Sequence, residues 1–129
     1  MLTVAIADTI LSGISYVDSV RRIGSKYTDA GNGGAFMRWV AKPESGPYNS
    51  WGNGAACGVS PVGFVFTKAD EVLAQAKATA RITHNPHKGV KGAQAAALAV
   101  FLGETGGDRE IIRSEISGRF GYDLDRTVE

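Results

Sequence analysis

The sequence has little cysteine, little net charge and no long apolar run. Its single cysteine, Cys57, cannot form a disulfide within the chain. The net charge of +1 gives no field that would favour nucleic acid or an anionic membrane surface. The longest apolar stretch, residues 95–102, is far too short to cross a bilayer. We therefore expect neither nucleic acid nor a membrane as a partner.

The remaining composition is that of an ordinary globular protein. Hydrophobic residues make up 43% of the 129 residues and charged residues 21%, which is typical of a folded chain rather than a disordered one. The length predicts one domain, residues 1–129, with a single core. Because the chain shows no charged leader followed by an apolar run, we expect a reducing cytoplasm, bacterial or that of a host cell.

Apolar spacing predicts six helices. They cover residues 2–11, 16–27, 35–41, 68–81, 89–102 and 109–119. Thr67 is expected to cap the fourth helix and Asp108 the sixth. The alanine-rich fifth helix is predicted to be the central buried one, because small side chains allow close packing. For residues 120–129 we predict no helix or strand.

Two segments between these helices suggest a ligand site. Residues 48–63 read YNSWGNGAACGVSPVG, and residues 83–92 read THNPHKGVKG. Glycines let a ligand approach the main chain, an asparagine amide can bond a nucleotide edge, and a tryptophan offers a stacking face. A tight helix connection with a buried tryptophan explains the first segment about as well on turn chemistry alone. A lone histidine such as His84 is also more often structural than functional.

These segments, with KADEVLAQAKATARITHNPHKGVKGAQAAALAVFL at residues 68–102, resemble the central part of the ADP-ribosylglycohydrolase family. The resemblance is to the dinitrogenase-reductase-activating glycohydrolase type, whose pattern runs near YNSWGNGSAMRVSPVG and THNHPEGIKGAQA. It covers nearly the whole chain. It implies an all-α fold, a compact helical bundle in which residues 48–63 line a cleft for ADP-ribose.

The resemblance also implies the ligand-binding residues. Carried over position by position, they are Asn49, Ser50, Trp51, Gly52, Asn53, Gly54, His84 and Asn85. Two positions within residues 48–63 depart from the family pattern, since Cys57 and Gly58 stand where methionine and arginine are usual. In residues 28–34, Asn32 stands where the family more commonly has an aromatic residue. We interpret Cys57 as a small buried residue rather than a nucleophile, because no clear base stands beside it in the sequence.

Family enzymes hold two magnesium ions through an N-terminal acidic motif, a Thr-Asp-Asp-Thr motif and a late Gly-Gly-Asp-x-Asp motif. The first residues of this chain resemble the helix that follows the second motif, and its last residues resemble the segment that leads to the third. We therefore expect the usual magnesium site to be absent, and we assign no catalytic residue, no metal ligand and no cofactor. Residues 106–108 only mimic the late motif and are interpreted as a linker with a helix cap. His84 and His87 lack supporting ligands for zinc.

Three functions remain open from the sequence. The first is binding and sequestration of an ADP-ribose-derived nucleotide, including a cyclic ADP-ribose signal, by a non-catalytic scaffold. A virus or mobile element would use such a protein to remove the signal of a nucleotide-based defence. The second is magnesium-dependent ADP-ribosyl hydrolysis, with a metal site rebuilt from Asp8, Asp29, Asp108 or a neighbouring subunit. The third is a protein–protein interaction module or inhibitor that keeps the fold without the pocket.

A bundle reduced at both ends would expose apolar faces. We expect such faces around residues 2–11 and 93–102, and large exposed patches commonly bind partners. The sequence therefore predicts a homo-oligomer, most simply a symmetric dimer.

Overall fold

The computed structural model describes residues 1–85 and 87–126. Within these residues the chain forms eight helices and no strand, so the all-α prediction is confirmed. The helices span Leu2–Ser12 (α1), Tyr16–Gly24 (α2), Gly34–Ala41 (α3), Gly54–Cys57 (α4), Ser60–Val65 (α5), Ala69–Arg81 (α6), His87–Glu104 (α7) and Arg109–Phe120 (α8). In this part of the chain no helix is long and apolar enough to cross a membrane.

Helix α7 is the centre of the bundle. It contacts α4, α5, α6 and α8, and it buries Ala93, Ala97 and Leu98. Its small side chains let α5 come very close: a Cβ atom on Gly63 would lie 2.6 Å from the carbonyl oxygen of Ala97 and 2.6 Å from the Cβ of Val100. Glycine is therefore required at position 63 for the observed packing of α5 on α7.

A second group of helices, α1 to α3, packs beside this centre. Its core contains Ala5, Val20, Ile23, Trp39 and other buried apolar side chains from all three helices. Helix α1 also contacts α5, so it joins the two groups.

Glycine at position 58 allows α1 to approach the chain just after α4. A Cβ atom there would lie 2.8 Å from the Cβ of Leu2 and 3.3 Å from the Cδ1 of Ile6. The arginine that is usual at this position in the family would not fit against α1 in this arrangement.

Arg21 fixes the loop that leads into the glycine-rich segment. Its guanidinium lies 4.4 Å from the centre of the Trp39 ring and donates hydrogen bonds to the carbonyl oxygens of Pro43 and Ser45. This combination of a cation–π contact and two bonds to the main chain sets the direction in which residue 48 and those after it leave the loop.

Several helix predictions are confirmed and several need correction. Asp108 caps α8, where its side chain accepts a bond from the Ile111 N–H at 2.8 Å. Thr67 does not cap α6, whose N-cap is Lys68 without a side-chain bond. The two short helices α4 and α5 were not predicted, because four and six residues are too few to show a helical period. No regular element occurs over residues 121–126, and residues 127–129 lie outside the described chain.

The prediction of exposed apolar faces is right for α1 only. Val4 and Leu11 are exposed on its outer side. The expected face over residues 93–102 is wrong, because α4, α5, α6 and α8 cover α7 and leave every residue of this stretch buried or half-buried. The homo-oligomer stays a prediction.

Candidate functional site

A cleft of 620 Å³ lies where the glycine-rich segment meets the end of α6. Its walls come from the first turns of α1, Val20 of α2, the loop before α3 with the start of that helix, and parts of two segments, residues 48–57 and 79–84. This volume lies in the range of small-molecule sites, which are roughly 300–1,000 Å³.

The two segments that the sequence singled out are bonded to each other at this cleft. The Ser50 N–H donates to the carbonyl oxygen of Thr83 over 3.0 Å. Within the first segment the Gly52 N–H donates to the Ser50 hydroxyl over 3.2 Å, and Asn49 takes a left-handed conformation with φ of 55°. These bonds hold residues 49–52 as a defined loop beside residue 83.

His84 completes the connection from a buried position. Its side chain is 3% exposed, its Nε2 lies 2.8 Å from the carbonyl oxygen of Gly52, and its Nδ1 lies 2.8 Å from the Thr83 hydroxyl. A carbonyl oxygen only accepts, so Nε2 must carry a proton, and in a neutral ring Nδ1 then accepts from the Thr83 hydroxyl. Both nitrogens are thereby used inside the protein, and His84 positions Gly52.

Some polar side chains of the residues that line the cleft already form hydrogen bonds within the protein, and others do not. The Thr79 hydroxyl donates to the Ala76 carbonyl, and the Thr83 hydroxyl is paired with His84. Across the described residues no hydrogen bond involves the side chain of Asn53 or the hydroxyl of Tyr48, although both residues line the cleft. An amide and a phenol are thus free to bond a ligand.

The lining is electrically neutral. Among the described residues that form the walls there is no aspartate, glutamate, lysine or arginine. Apolar side chains, glycines and uncharged polar groups make up the surface, with His84 behind the glycine-rich loop. The described walls therefore offer a ligand hydrogen bonds and apolar contact, and no ion pair with an aspartate, glutamate, lysine or arginine.

The structure places five of the eight predicted ligand residues in the walls of the cleft. These are Ser50, Gly52, Asn53, Gly54 and His84. Asn49, Trp51 and Asn85 are exposed and do not line it, and Trp51 is 78% exposed. Trp51 is therefore not the buried tryptophan that the alternative interpretation required.

The walls also contain residues that the sequence did not single out as ligand contacts. They include Leu2, Asn32, Phe36 and Tyr48, which come from three different parts of the chain. Asn32 was noticeable only as a departure from the aromatic residue usual at that position of the family. The others carried no local signal, because a cleft between separate elements depends on their packing.

Cys57 was expected to be buried, and this interpretation is wrong. It is exposed and lines the cleft. At the end of α4 the neighbouring Gly58 is the residue that packs against α1, and Cys57 lies on the side of the cleft.

The carboxylates considered for a rebuilt metal site are not brought together. Asp8 accepts hydrogen bonds from Ser19 and Arg22, whereas Asp108 caps α8. Within residues 1–85 and 87–126 no three side chains of His, Cys, Asp or Glu are grouped so that they could hold a metal ion. The donor set of the cleft therefore does not fit the two magnesium ions that the resemblance implies.

The pairing of Asp8 gives a pH prediction. The hydrogen bond from Arg22, and secondarily that from Ser19, lowers the pKa of the Asp8 carboxyl below its ordinary value of 3.8. A carboxyl whose pKa is lowered by folding stabilises the fold above its unfolded pKa, and this contribution is lost as the pH falls through the folded pKa. We expect Asp8→Asn to lower the melting temperature at pH 7, and this difference to shrink progressively as the pH falls below 3.8. Thermal unfolding across pH checks this; a deficit that stays constant as the pH falls below 3.8 would contradict it.

Comparison with known proteins tests the family resemblance that the sequence suggested. The family model described as ADP-ribosylglycohydrolase matches residues 2–127. No curated protein and no solved structure gives a significant match. The matched range contains both segments that border the cleft and nearly all of the chain. The chain therefore belongs to the ADP-ribosylglycohydrolase family.

Proposed function

We propose that the cleft binds an ADP-ribose-derived nucleotide, linear or cyclic, and that the chain sequesters this ligand without hydrolysing it. The observation that carries the proposal is the hydrogen-bonded joining of residues 48–57 and 83–84 around a cleft of 620 Å³. These are the segments through which the chain resembles its family, and the family name indicates ADP-ribosyl compounds as ligands.

The chemistry of the walls supports binding. Asn53 and Tyr48 offer an amide and a phenol for the edge of a base or for ribose hydroxyls. Leu2, Ile6 and Phe36 supply apolar surface for the faces of such rings.

The same walls favour sequestration over turnover. Hydrolysis by family enzymes depends on carboxylates that hold metal ions and orient water. The described residues provide no such cluster at the cleft. Asp8 is committed to Ser19 and Arg22, which fix α2 against α1. We therefore assign the chain's own side chains to holding and orienting the ligand.

Calorimetry with chromatography of the nucleotide tests this function. The protein is titrated with ADP-ribose and with cyclic ADP-ribose, once with magnesium and once with a chelator. We expect the same affinity under both conditions and recovery of the nucleotide unchanged. Magnesium-dependent release of product would overturn sequestration in favour of hydrolysis, and the absence of any heat of binding would overturn the nucleotide site itself.

Asn53→Ala is expected to weaken nucleotide binding by about tenfold, because one good hydrogen bond in a partly desolvated site contributes about 1 kcal/mol or more. The side chain is exposed and makes no bond within the described chain, so the variant should keep its melting temperature.

Asn85→Ala is the matched comparison. Asn85 is also an exposed asparagine, it adjoins His84 in sequence, and it does not line the cleft. We expect it to change affinity by less than about twofold. Equal losses in the two variants would show that the ligand does not lie in the cleft.

A further inference from the structure

The polar side chains of α1 are all bonded within the protein. The only charged residue of this helix, Asp8, accepts hydrogen bonds from Ser19 and Arg22 of α2. The hydroxyl groups of the helix donate to main-chain carbonyl oxygens of the same chain, and they belong to Thr3, Thr9 and Ser12. What α1 presents to solvent is therefore set by its apolar side chains.

The apolar residues on the outer side of α1 form one row. Val4, Ala7 and Leu11 lie within about 60° of one another around the helix axis, because seven residues make nearly two full turns. Val4 is 60% exposed and Leu11 is 85% exposed, and the half-buried Ala7 between them is small. Ile14, just after the helix, continues the same sequence spacing. Such spacing is the pattern by which two helices pack along each other.

The edge of α2 that borders this row carries opposite charges at its two ends. Arg22 bonds Asp8, so this edge lies beside α1, and the connection of three residues makes the two helices antiparallel. Asp18 therefore lies beside the end of α1, whereas Lys26, which follows α2, lies beside its beginning. Both side chains are exposed.

We propose that the outer face of α1 is the interface of a symmetric dimer of this chain, in which the two copies of α1 pack antiparallel. A two-fold axis perpendicular to α1 places both α2 edges on the same side of the contact, running in opposite directions. Asp18 of one protomer then lies opposite Lys26 of the partner subunit, so the face is complementary to itself in charge.

This charge pattern favours a second copy over other partners. A membrane surface or a nucleic acid would be matched by a face of one sign, whereas an acid and a base at opposite ends match the same face turned by 180°. The interface is also independent of the proposed nucleotide site, since Val4, Ala7 and Leu11 do not line the cleft.

The small size of the face limits the expected affinity. A helix of 11 residues is only about 16 Å long. The contact is therefore smaller than the roughly 1,200–2,000 Å² buried in stable complexes, and we expect a reversible dimer with a Kd of about 10–100 µM. Sedimentation velocity between about 5 and about 500 µM should show the mean mass rise from monomer towards dimer. A protein that stays monomeric over this range would overturn the proposal.

Leu11→Lys shows whether the dimer uses this face. Because Leu11 is 85% exposed, the variant should keep its melting temperature, and a lysine charge placed in the contact should raise the Kd at least about tenfold. Ile111→Lys is the matched control, since Ile111 is also an exposed apolar residue but lies on α8, which packs on α7. It should leave association unchanged. Equal effects of the two variants, or none from Leu11→Lys, would place the contact elsewhere and refute the proposal.

A pair of charge variants tests the antiparallel arrangement. Lys26→Asp and Asp18→Lys each place like charges opposite one another across the axis, so each variant alone should associate about threefold more weakly or worse. In an equimolar mixture acid again faces base at both ends, and the affinity should return to that of the unmodified protein. Thermal unfolding verifies that both variants are folded. A mixture that associates no better than its components would show that the proposed arrangement is wrong.

Discussion

Gly63→Ala is expected to destabilise the protein by about 3 kcal/mol, at the upper end of the usual cost of adding one methyl group to a packed core. The added Cβ would lie 2.6 Å from the Ala97 carbonyl oxygen and 2.6 Å from the Val100 Cβ. Because the first of these atoms belongs to the backbone of α7, no side-chain rotation relieves the contact. Helix α5 would have to move away from α7.

Chemical denaturation measures the effect, and Gly118→Ala is its control. Gly118 lies inside α8, and a Cβ atom there meets no atom within 4 Å. That substitution should raise stability by about 0.5–1 kcal/mol, since alanine favours the helix over glycine. If Gly63→Ala also left stability unchanged or increased it, the close packing of α5 on α7 would be wrong.

His84→Ala is expected to lower both stability and ligand affinity. It removes a buried ring that bonds Gly52 and Thr83, which we expect to cost about 2–3 kcal/mol of unfolding free energy. Without the bond to its carbonyl, Gly52 is no longer held in position, and nucleotide affinity should fall by about tenfold or more, as expected for the loss of pre-organisation.

Two further variants separate the positioning role of His84 from bulk packing. In His84→Gln the side-chain amide can reach the place of Nε2 and donate to the Gly52 carbonyl, so binding should be partly restored. His84→Asn has the shorter reach of Nδ1, so it should restore contact with Thr83 only and leave binding weak. Calorimetry at a temperature where all variants are folded provides the comparison. Unchanged affinity in His84→Ala would contradict the positioning role.

Much of the helical architecture could be predicted from local pattern. Helix α8 is an example: Asp108 and the apolar spacing after it indicated both the cap and the helix, and the structure has them within one residue. Helix α7 was also expected as the central helix, because its alanines indicate close packing on several sides. These features depend on residues within a few positions of each other, so the sequence carries their signal directly.

The predictions of burial and exposure failed, because the burial of a residue depends on elements that are distant from it in the sequence. Cys57 was expected to be buried because small apolar residues usually are, yet it lies on the side of the cleft, while the neighbouring Gly58 packs against α1. Residues 93–102 were expected to expose an apolar face, and neighbouring helices cover it. Trp51, which suggested either a core residue or a stacking face, is exposed beside the loop.

The sequence by itself determined six of the eight helices in the described chain, the family and the two segments that border the cleft, because each depends on residue types at short, fixed spacing. The tertiary structure alone decided that Asn32, Phe36 and Tyr48 join Asn53 around one cleft and that His84 uses both ring nitrogens inside the protein. It also decided that the described walls carry no carboxylate, lysine or arginine. The bond from His84 to Gly52 joins residues 32 positions apart, and the walls combine elements from across the chain. Such contacts form only when helices pack, and packing is governed by shape and buried surface rather than by local periodicity.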